Sequence, residues 1–542
     1  MEESQEAAGS HLFHELSPVT FVEGLFLGVF RTDLLPAYPL GKSQADLDES
    51  SIFKSLQEEL LPSSLAMDGA DRLSRRLGEL GLFAKSLPST FGGDAFSHLA
   101  YCRFCEQLAF YLPAAPLMLL AQQQVVWGLI AQGSREQCER YLPSLASGEL
   151  KAVLVAHPTP TWLVQGAVAR LFLFLKEASC QEKASPFVGE AVLLQADGGQ
   201  GWLASKKPFQ GLGLQELQMA CITSDRSGFE AAQPLEATGS SVALSAYIRQ
   251  RERTAHSAAS IGLAKALCGM VRSYLQGCSI SSASRMALQP RWARMAAQLY
   301  AMEATCYVTA ALVDSSQGEL LLEVGLLDLL MRESLLLLME DAFLVCGRDA
   351  FFSDAPLARL LSFGHFYAGD QPGVDRLRLS IARRGLAPLQ QAMQASSVLL
   401  FAPWRSPSSL GRLLAYLAKK ARLLTIELAH PALDEQKKEL SRLLRSLAWR
   451  ALRLLHGHGE ELFSRPRELY QIVDAALVLY SVSATLWRIS AELSRSQGHK
   501  KSHQLELLQV RYYCQLAFGR STSPFFQEGY EPLATAFLEG GS

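Results

Sequence analysis

The stretch Gly133-Ser-Arg-Glu-Gln-Cys-Glu-Arg-Tyr-Leu-Pro-Ser-Leu-Ala-Ser-Gly-Glu149 is a boundary in this chain of 542 residues. Its Pro143 and Gly148 are expected to end one helix and turn the chain into a different kind of structure. Upstream, from about Ile52 to Gly148, apolar residues recur at helical spacing. Leu73, Leu77, Leu80 and Leu82 form a stripe that Pro88 and Gly92-Gly93 interrupt. Leu117 to Ile130 is nearly all apolar and reads as a buried helix. Downstream, residues 152–248 hold short β-type runs at Ala152–Val155, Ala191–Leu194 and Met219–Thr223, with Val242–Ile248 as a fourth.

Helical patterning returns from about Arg253 to Arg384, in Leu/Ala-rich segments such as Glu319–Leu338. Pro403, Ser406, Pro407 and Ser408 mark a linker, and a second helical region runs from about Leu410 to Phe518. Near the start, Phe21-Val-Glu-Gly-Leu-Phe-Leu-Gly28 is a short apolar segment. The expected fold class is mainly α with a small β domain. The expected division is an N-terminal segment (1–51), a helical domain (52–150), a shortened β domain (151–250), a helical bundle (251–395) and an appended helical domain (410–520).

Hydrophobic residues make up 49% of the chain and charged residues 19%, enough to bury a large core. The formal net charge of −2 gives no reason to expect nucleic acid as a partner. Ten cysteines are scattered, and only Cys102 and Cys105 are close. A lone C-x-x-C in an apolar helix reads as two buried thiols, so no metal site is expected. The scatter itself suggests a reducing compartment. No apolar run is expected to reach the roughly 18 residues that span a bilayer. The acidic start, Met1-Glu-Glu-Ser-Gln-Glu6, resembles neither a secretory signal nor an Arg-rich transit peptide, so no presequence is visible.

Several segments resemble the acyl-CoA dehydrogenase family. Gly81-Leu-Phe-Ala-Lys-Ser-Leu-Pro-Ser-Thr-Phe-Gly-Gly93 is similar to its "GLFGL-x-VP-x-x-x-GG", and residues 133–149 to its "G(T/S)-x-EQK-x-x-YLP-x-LASGE". Glu252-Arg-Thr-Ala-His-Ser-Ala-Ala-Ser-Ile-Gly-Leu-Ala-Lys265 resembles the start of the third domain, and Asp354-Ala-Pro-Leu-Ala-Arg359 the "D-x-P-x-x-R" after a Gly-rich turn, of which Gly347 remains. Leu25-Phe-Leu-Gly28 and the region beyond residue 400 resemble the very-long-chain enzyme and its complex I assembly relative. The resemblance implies the acyl-CoA dehydrogenase fold: helical N-domain, β-barrel domain (here reduced), helical bundle and an appended helical domain.

It also implies a chemistry, in which a carboxylate takes the α-proton of an acyl-CoA and FAD accepts the β-hydride. The subfamily's base is the Glu of "FEGTNE". Here the chain reads Phe366-Tyr-Ala-Gly-Asp-Gln-Pro-Gly373. Aligned on Gly369, Ala368 takes the Glu position; aligned without a gap, Gln371 does. Asp370 is the nearest carboxylate. Neither Ala368 nor Gln371 can act as a base, so no catalytic residue is expected. Of the flavin contacts, the resemblance leaves Pro158 from "LTEP-x-x-GSD", Phe209 in place of the stacking Trp, Gln289 downstream of the lost "R-x-QFG", and Gly369. Arg253 is the position implied for substrate. About forty residues of the β domain are missing by family length, between Thr223 and Glu252.

In the appended region Leu440, Leu443, Leu444, Leu447, Ala451, Leu454 and Leu455 recur at helical spacing, with Lys437, Lys438, Arg442, Arg445, Arg450 and Arg453 between them. This pattern fits either a helix lying on an anionic membrane or a packed helix with a basic outer face. Leu410 to Leu428, with Lys419, Lys420 and Arg422, offers the same choice. The resemblance implies a mitochondrial protein on the matrix side of the inner membrane, homodimeric, with complex I assembly proteins as partners. The expected function is a catalytically impaired scaffold or assembly factor. The alternative is an active FAD-dependent long-chain acyl-CoA dehydrogenase of fatty-acid β-oxidation.

Overall fold

A computed structural model describes residues 18–40, 50–60, 67–155, 161–175, 191–195, 203–208, 214–224, 233–235, 241–277, 282–316, 318–348, 356–369, 373–400, 433–495 and 503–519. The first half holds α1 (Phe21–Phe26), α2 (Ser50–Leu60), α3 (Met67–Glu79), α4 (His98–Tyr111), α5 (Ala114–Gln132) and α6 (Arg135–Ala146). The strands follow: β1 (Ala152–Val155), β2 (Thr161–Leu163), β3 (Leu171–Phe174), β4 (Val192–Gln195), β5 (Leu203–Pro208), β6 (Ala220–Ser224) and β7 (Gln233–Pro234). Then come α7 (Ser241–Gly277), α8 (Ser282–Ser315), α9 (Leu321–Cys346), α10 (Pro356–Ala368), α11 (Val374–Leu400), α12 (Asp434–His458), α13 (Pro466–Arg495) and α14 (Gln504–Phe518). The order expected from sequence, helices, strands, helices and further helices, is the order found.

The boundary stretch folds by its own chemistry. Ser134 caps α6 by accepting the Gln137 amide, and the Gln137 side chain returns to the Ser134 N–H, a reciprocal capping box. Pro143 does not end this helix, contrary to expectation; it lies inside α6. The stop comes from Gly148, whose φ of +74° is left-handed. A Cβ there would also meet the Phe83 ring at 2.9 Å.

The β domain consists of two small sheets. One has the order β1-β3-β4-β7, with β1 and β3 parallel and the other pairs antiparallel; the other is antiparallel, in the order β2-β6-β5. Leu171-Phe-Leu-Phe174 is buried on both faces, which suits a central strand. The fourth expected strand, Val242–Ile248, is instead the first two turns of α7. Its period-two alternation does not make a face: Val242 is 43% exposed, whereas Leu244 and Ile248, one helical turn apart, are buried.

The core is dominated by close helix pairs. α4 and α7 approach at Gly262, where a Cβ would overlap the carbonyl oxygen of Glu106. Cys102 and Cys105 are both fully buried on α4, and burial raises both thiols. Among the described residues two helices, α5 and α13, are long and apolar enough to cross a membrane, which corrects the expectation that no segment is; both are mostly buried within the protein. α11 runs on to Leu400, past the expected end of the bundle. The linker at 403–408 and the segment Leu410–Leu428 lie outside the described residues.

Candidate functional site: the end of helix α10

The turn aligned from sequence with the family's base follows α10. Ala368 is the last residue of that helix and is 5% exposed. Gly369 closes the turn by donating its N–H to the His365 carbonyl at 2.8 Å. Asp370 and Gln371 lie outside the described residues, as do Pro158 and Phe209.

The position beside Ala368 is filled. Tyr367 is 1% exposed, and its ring packs on that of His256 from α7, centroids 4.9 Å apart. Its hydroxyl donates to the carbonyl of Pro113, at the start of α5, at 2.9 Å. Burial raises the Tyr367 phenol well above its ordinary value, so it stays protonated and keeps donating. Three elements thus meet on one side chain.

Polar groups nearby are paired within the chain. Arg253, one turn before His256, has its Nε 3.1 Å from Glu252 and its Nη1 3.6 Å from Asp328 on α9. Asp328 also takes both arms of Arg332 at 2.7 and 2.9 Å. Arg359 on α10 reaches Glu216 of the β domain at 2.6 Å. Burial raises the Glu216 carboxyl, and Arg359 pulls it back. Gln289, the remaining described candidate, is half-buried in α8 beside Pro290. Its neighbours Arg291 and Arg294 pair with Asp341. Asp341 lies 13 residues beyond Arg253's partner Asp328, about 20 Å along α9 at 1.5 Å per residue. The structure therefore brings Arg253 and Ala368 to one neighbourhood, through His256 and Tyr367, and ties Gln289 to another.

Of the positions implied for flavin contact, Gln289 and Gly369 are described, and they lie on separate helices, α8 and the end of α10. The Tyr367 hydroxyl, the Arg253 guanidinium and Arg359 are each engaged inside the chain. Among the described residues no group of His, Cys, Asp or Glu is placed to hold a metal.

A second cluster was not anticipated from sequence. Lys265 Nζ lies 2.6 Å from Glu106 and 2.5 Å from Glu303. Arg488 of α13 lies 2.7 Å from Glu303 and 2.9 Å from Glu492. Tyr300 donates to Glu492 at 2.9 Å, Tyr307 donates to Glu106, and Arg488 covers the Tyr300 ring. Burial alone would raise Glu303, but Lys265 and Arg488 hold it at about 2. Burial raises Glu106, which has Lys265 as its one strong cationic partner. The cluster joins α4, α7, α8 and α13. The sequence signal for it was weak: single charges set in apolar helices.

A model of the acyl-CoA dehydrogenase N-terminal domain matches residues 49–149. The human mitochondrial very long-chain specific acyl-CoA dehydrogenase is 23% identical over 544 aligned residues, covering 90% of this chain and 81% of that protein. Residues 49–149 thus match an acyl-CoA dehydrogenase N-terminal domain, and the chain as a whole is similar to the very-long-chain enzyme. A solved acyl-CoA dehydrogenase from Bacillus anthracis, complexed with FAD, superposes with a TM-score of 0.72 at 16% identity, covering 95% of this chain and 98% of that one. Butyryl-CoA dehydrogenase from Megasphaera elsdenii gives 0.52 at 13% identity, over 63% of this chain and 98% of its own. The chain has the acyl-CoA dehydrogenase fold, with helices α12–α14 following the bundle.

Proposed function

We propose that this protein is a catalytically impaired acyl-CoA dehydrogenase of the very-long-chain type. It acts as a homodimeric scaffold or assembly factor for respiratory complex I, on the matrix side of the mitochondrial inner membrane. The observation that carries the reading is the buried Tyr367–Ala368 pair at the end of α10. Aligned on Gly369, a methyl group takes the position of the base (aligned without a gap, Gln371 does), and the neighbouring ring is packed on His256 and bonded to Pro113. A general base must reach the proton it removes, and an alanine has nothing to reach with. FAD is the family's cofactor, and the pairing of Arg253 with Asp328 supports a weakened substrate site here.

The mitochondrial placement is supported by the human relative, whose name carries that location. The membrane placement rests on α12. Its residues Leu440, Leu444, Leu447, Ala451 and Leu455 are buried, so the leucine stripe packs inward. Lys438, Arg442, Arg445, Arg453 and a 58%-exposed Trp449 are left on the outer face. An outward Trp among cations suits an anionic lipid surface.

The test is the flavin content of the isolated protein and its response to palmitoyl-CoA. Colourless protein that takes up no FAD supports the scaffold. Yellow protein that bleaches on adding the thioester would establish an active dehydrogenase instead.

A further inference from the structure

Helix α12 turns a row of cations outward. Arg442, Arg445, Trp449, Arg453 and His456 follow one another at steps of three and four residues, and all are exposed. The row runs about 21 Å along the helix. Between Glu439 and Glu460 there is no acidic residue, so Arg442, Arg445, Arg450 and Arg453 stand unbalanced in this stretch. Arg442 pairs with Glu439 at the edge of the row, and Arg450 donates to Gln471. Arg445 donates to the Ser441 carbonyl at 3.2 Å, and neither it nor Arg453 has a carboxylate partner among the described residues. Trp449 stands 58% exposed at the centre of the row.

The start of the chain passes close to this row. Gly28, at φ +71°, backs onto α12, where a Cβ would stand 2.6 Å from the Cβ of Ala448, the residue before Trp449. Four residues earlier, Gly24 has the Pro18 ring against it, 3.5 Å from where a Cβ would be. The segment that carries Pro18 is fixed. Glu323 of α9 accepts the Val22 N–H at 2.9 Å, and Trp487 of α13 donates to the Pro36 carbonyl at 2.8 Å. Val19 is 76% exposed, so the chain enters this segment from the surface. Residues 1–17 lie outside the described residues. Fully extended, seventeen residues reach about 60 Å, ample for a row about 21 Å long.

Their composition complements the row. Residues 1–17 carry Glu2, Glu3, Glu6 and Glu15 and contain no Lys or Arg. Leu12, Phe13 and Leu16 add apolar side chains that an exposed Trp can cover. We propose that residues 1–17 dock on the outer face of α12, with their glutamates against the Arg442–Arg453 row and Phe13 against Trp449. Exposed ion pairs are individually weak, yet a segment tethered this close meets its partner at an effective concentration on the order of millimolar. The docked segment is an internal competitor, since any other anion seeking this face must displace it. Charge and reach carry this docking without the membrane reading above.

The test uses the full chain with the photoreactive residue benzoylphenylalanine in place of Phe13, and cross-links are located by mass spectrometry. Links within residues 442–456 are expected. Mixing isotopically light and heavy chains separates links within one copy from links between copies. Arg445→Gln with Arg453→Gln, both on the exposed face, should lower the yield by about threefold or more. Changing Glu2, Glu3, Glu6 and Glu15 to Gln should do the same, as should about 0.5 M sodium chloride, where the screening length is about 4 Å. Links that fall elsewhere, or scatter over the surface, overturn the docking. Links between copies also overturn it and make a second copy the occupant. A yield at 442–456 that neither charge variant moves overturns it too, because the pairing proposed is ionic.

Discussion

Arg488 Nη1 lies 2.7 Å from Glu303, an ion pair that fastens the appended helix α13 to α8 of the bundle. Glu303 also holds Lys265, so one carboxylate serves two cations. Replacing it with Gln leaves both facing a neutral amide in a largely buried setting. Glu303→Gln should destabilise the protein by about 3–5 kcal/mol in urea titration at neutral pH. The pH dependence has a definite sign. Glu303 is held at about 2, below the ordinary carboxylate range, so its contribution is present above about pH 4.5 and is lost as the pH falls towards 2. The stabilities of the variant and the unaltered chain should converge on acidification. A gap that stays constant from pH 7 to pH 3 would contradict this.

Lys151 is a second electrostatic test, of the opposite kind. Its ammonium lies 4.1 Å from the centre of the Phe83 ring and has no hydrogen-bond partner among the described residues, and burial lowers its pKa to about 8. Between that value and the ordinary one of about 10.4, the unfolded chain binds the extra proton, so stability rises with pH across this window. Lys151→Met should therefore raise the melting temperature at pH 7. The gain should shrink as the pH approaches 10. A variant that melts lower at pH 7 would show that the cation–ring contact outweighs desolvation.

Gly262 tests the close approach of α4 and α7. Its missing Cβ leaves room for the Glu106 carbonyl, which is backbone and cannot swing aside, and Ala109 crowds the same point at 2.9 Å. Gly262→Ala should cost at least the roughly 1–3 kcal/mol typical of core overpacking, despite the helix preference of alanine. Gly269, further along α7 with open space around it, is the control. Gly269→Ala should be neutral or slightly stabilising by chemical denaturation.

Ala368→Glu alone should not create a dehydrogenase. The new carboxyl would replace a 5%-exposed methyl beside Tyr367, where desolvation favours its neutral form over the ionised base. The change also supplies no hydride acceptor, and a misplacement of about 1 Å in the reacting pair can cost about a hundredfold. Acceptor-dye reduction with palmitoyl-CoA and added FAD measures this directly. Robust turnover by Ala368→Glu would mean that a working flavin site exists, and would displace the scaffold reading.

Much of the architecture was legible because it depends on local pattern. The stripe Leu440–Leu455 announced α12, and the all-apolar Leu117–Ile130 announced α5. Where pattern and packing diverge, the sequence misled. Val242–Ile248 alternates like a strand, yet it continues into a helix of 37 residues whose burial is set by α4 and α9. Pro143 looked like a stop but is tolerated within α6, since it removes one N–H and leaves the Gly148 turn to finish the helix. The leucine stripe of α12 read equally well as membrane-facing or core-facing, and only its partner α13 settles which side it shows. At the candidate site, Ala368 could be picked out by aligning a motif. The packing of Tyr367 on His256 could not, because it joins residues 111 positions apart through no local signature. The Glu106–Lys265–Glu303–Arg488 cluster was hidden for the same reason.

The bonds Val22–Glu323 and Trp487–Pro36 span 301 and 451 residues. The segment 18–40 is thus stitched to partners far along the chain, which has a kinetic meaning. While the polypeptide emerges in order, α1 has nothing to dock on until α9 is made, and its final neighbours α12 and α13 come later still. Loop closure over such separations is slow, and α13, apolar enough for a bilayer, stays uncovered in the interval. Refolding from denaturant should accordingly show early burial in α4 and α7, with Trp487 reaching its native fluorescence in the last phase.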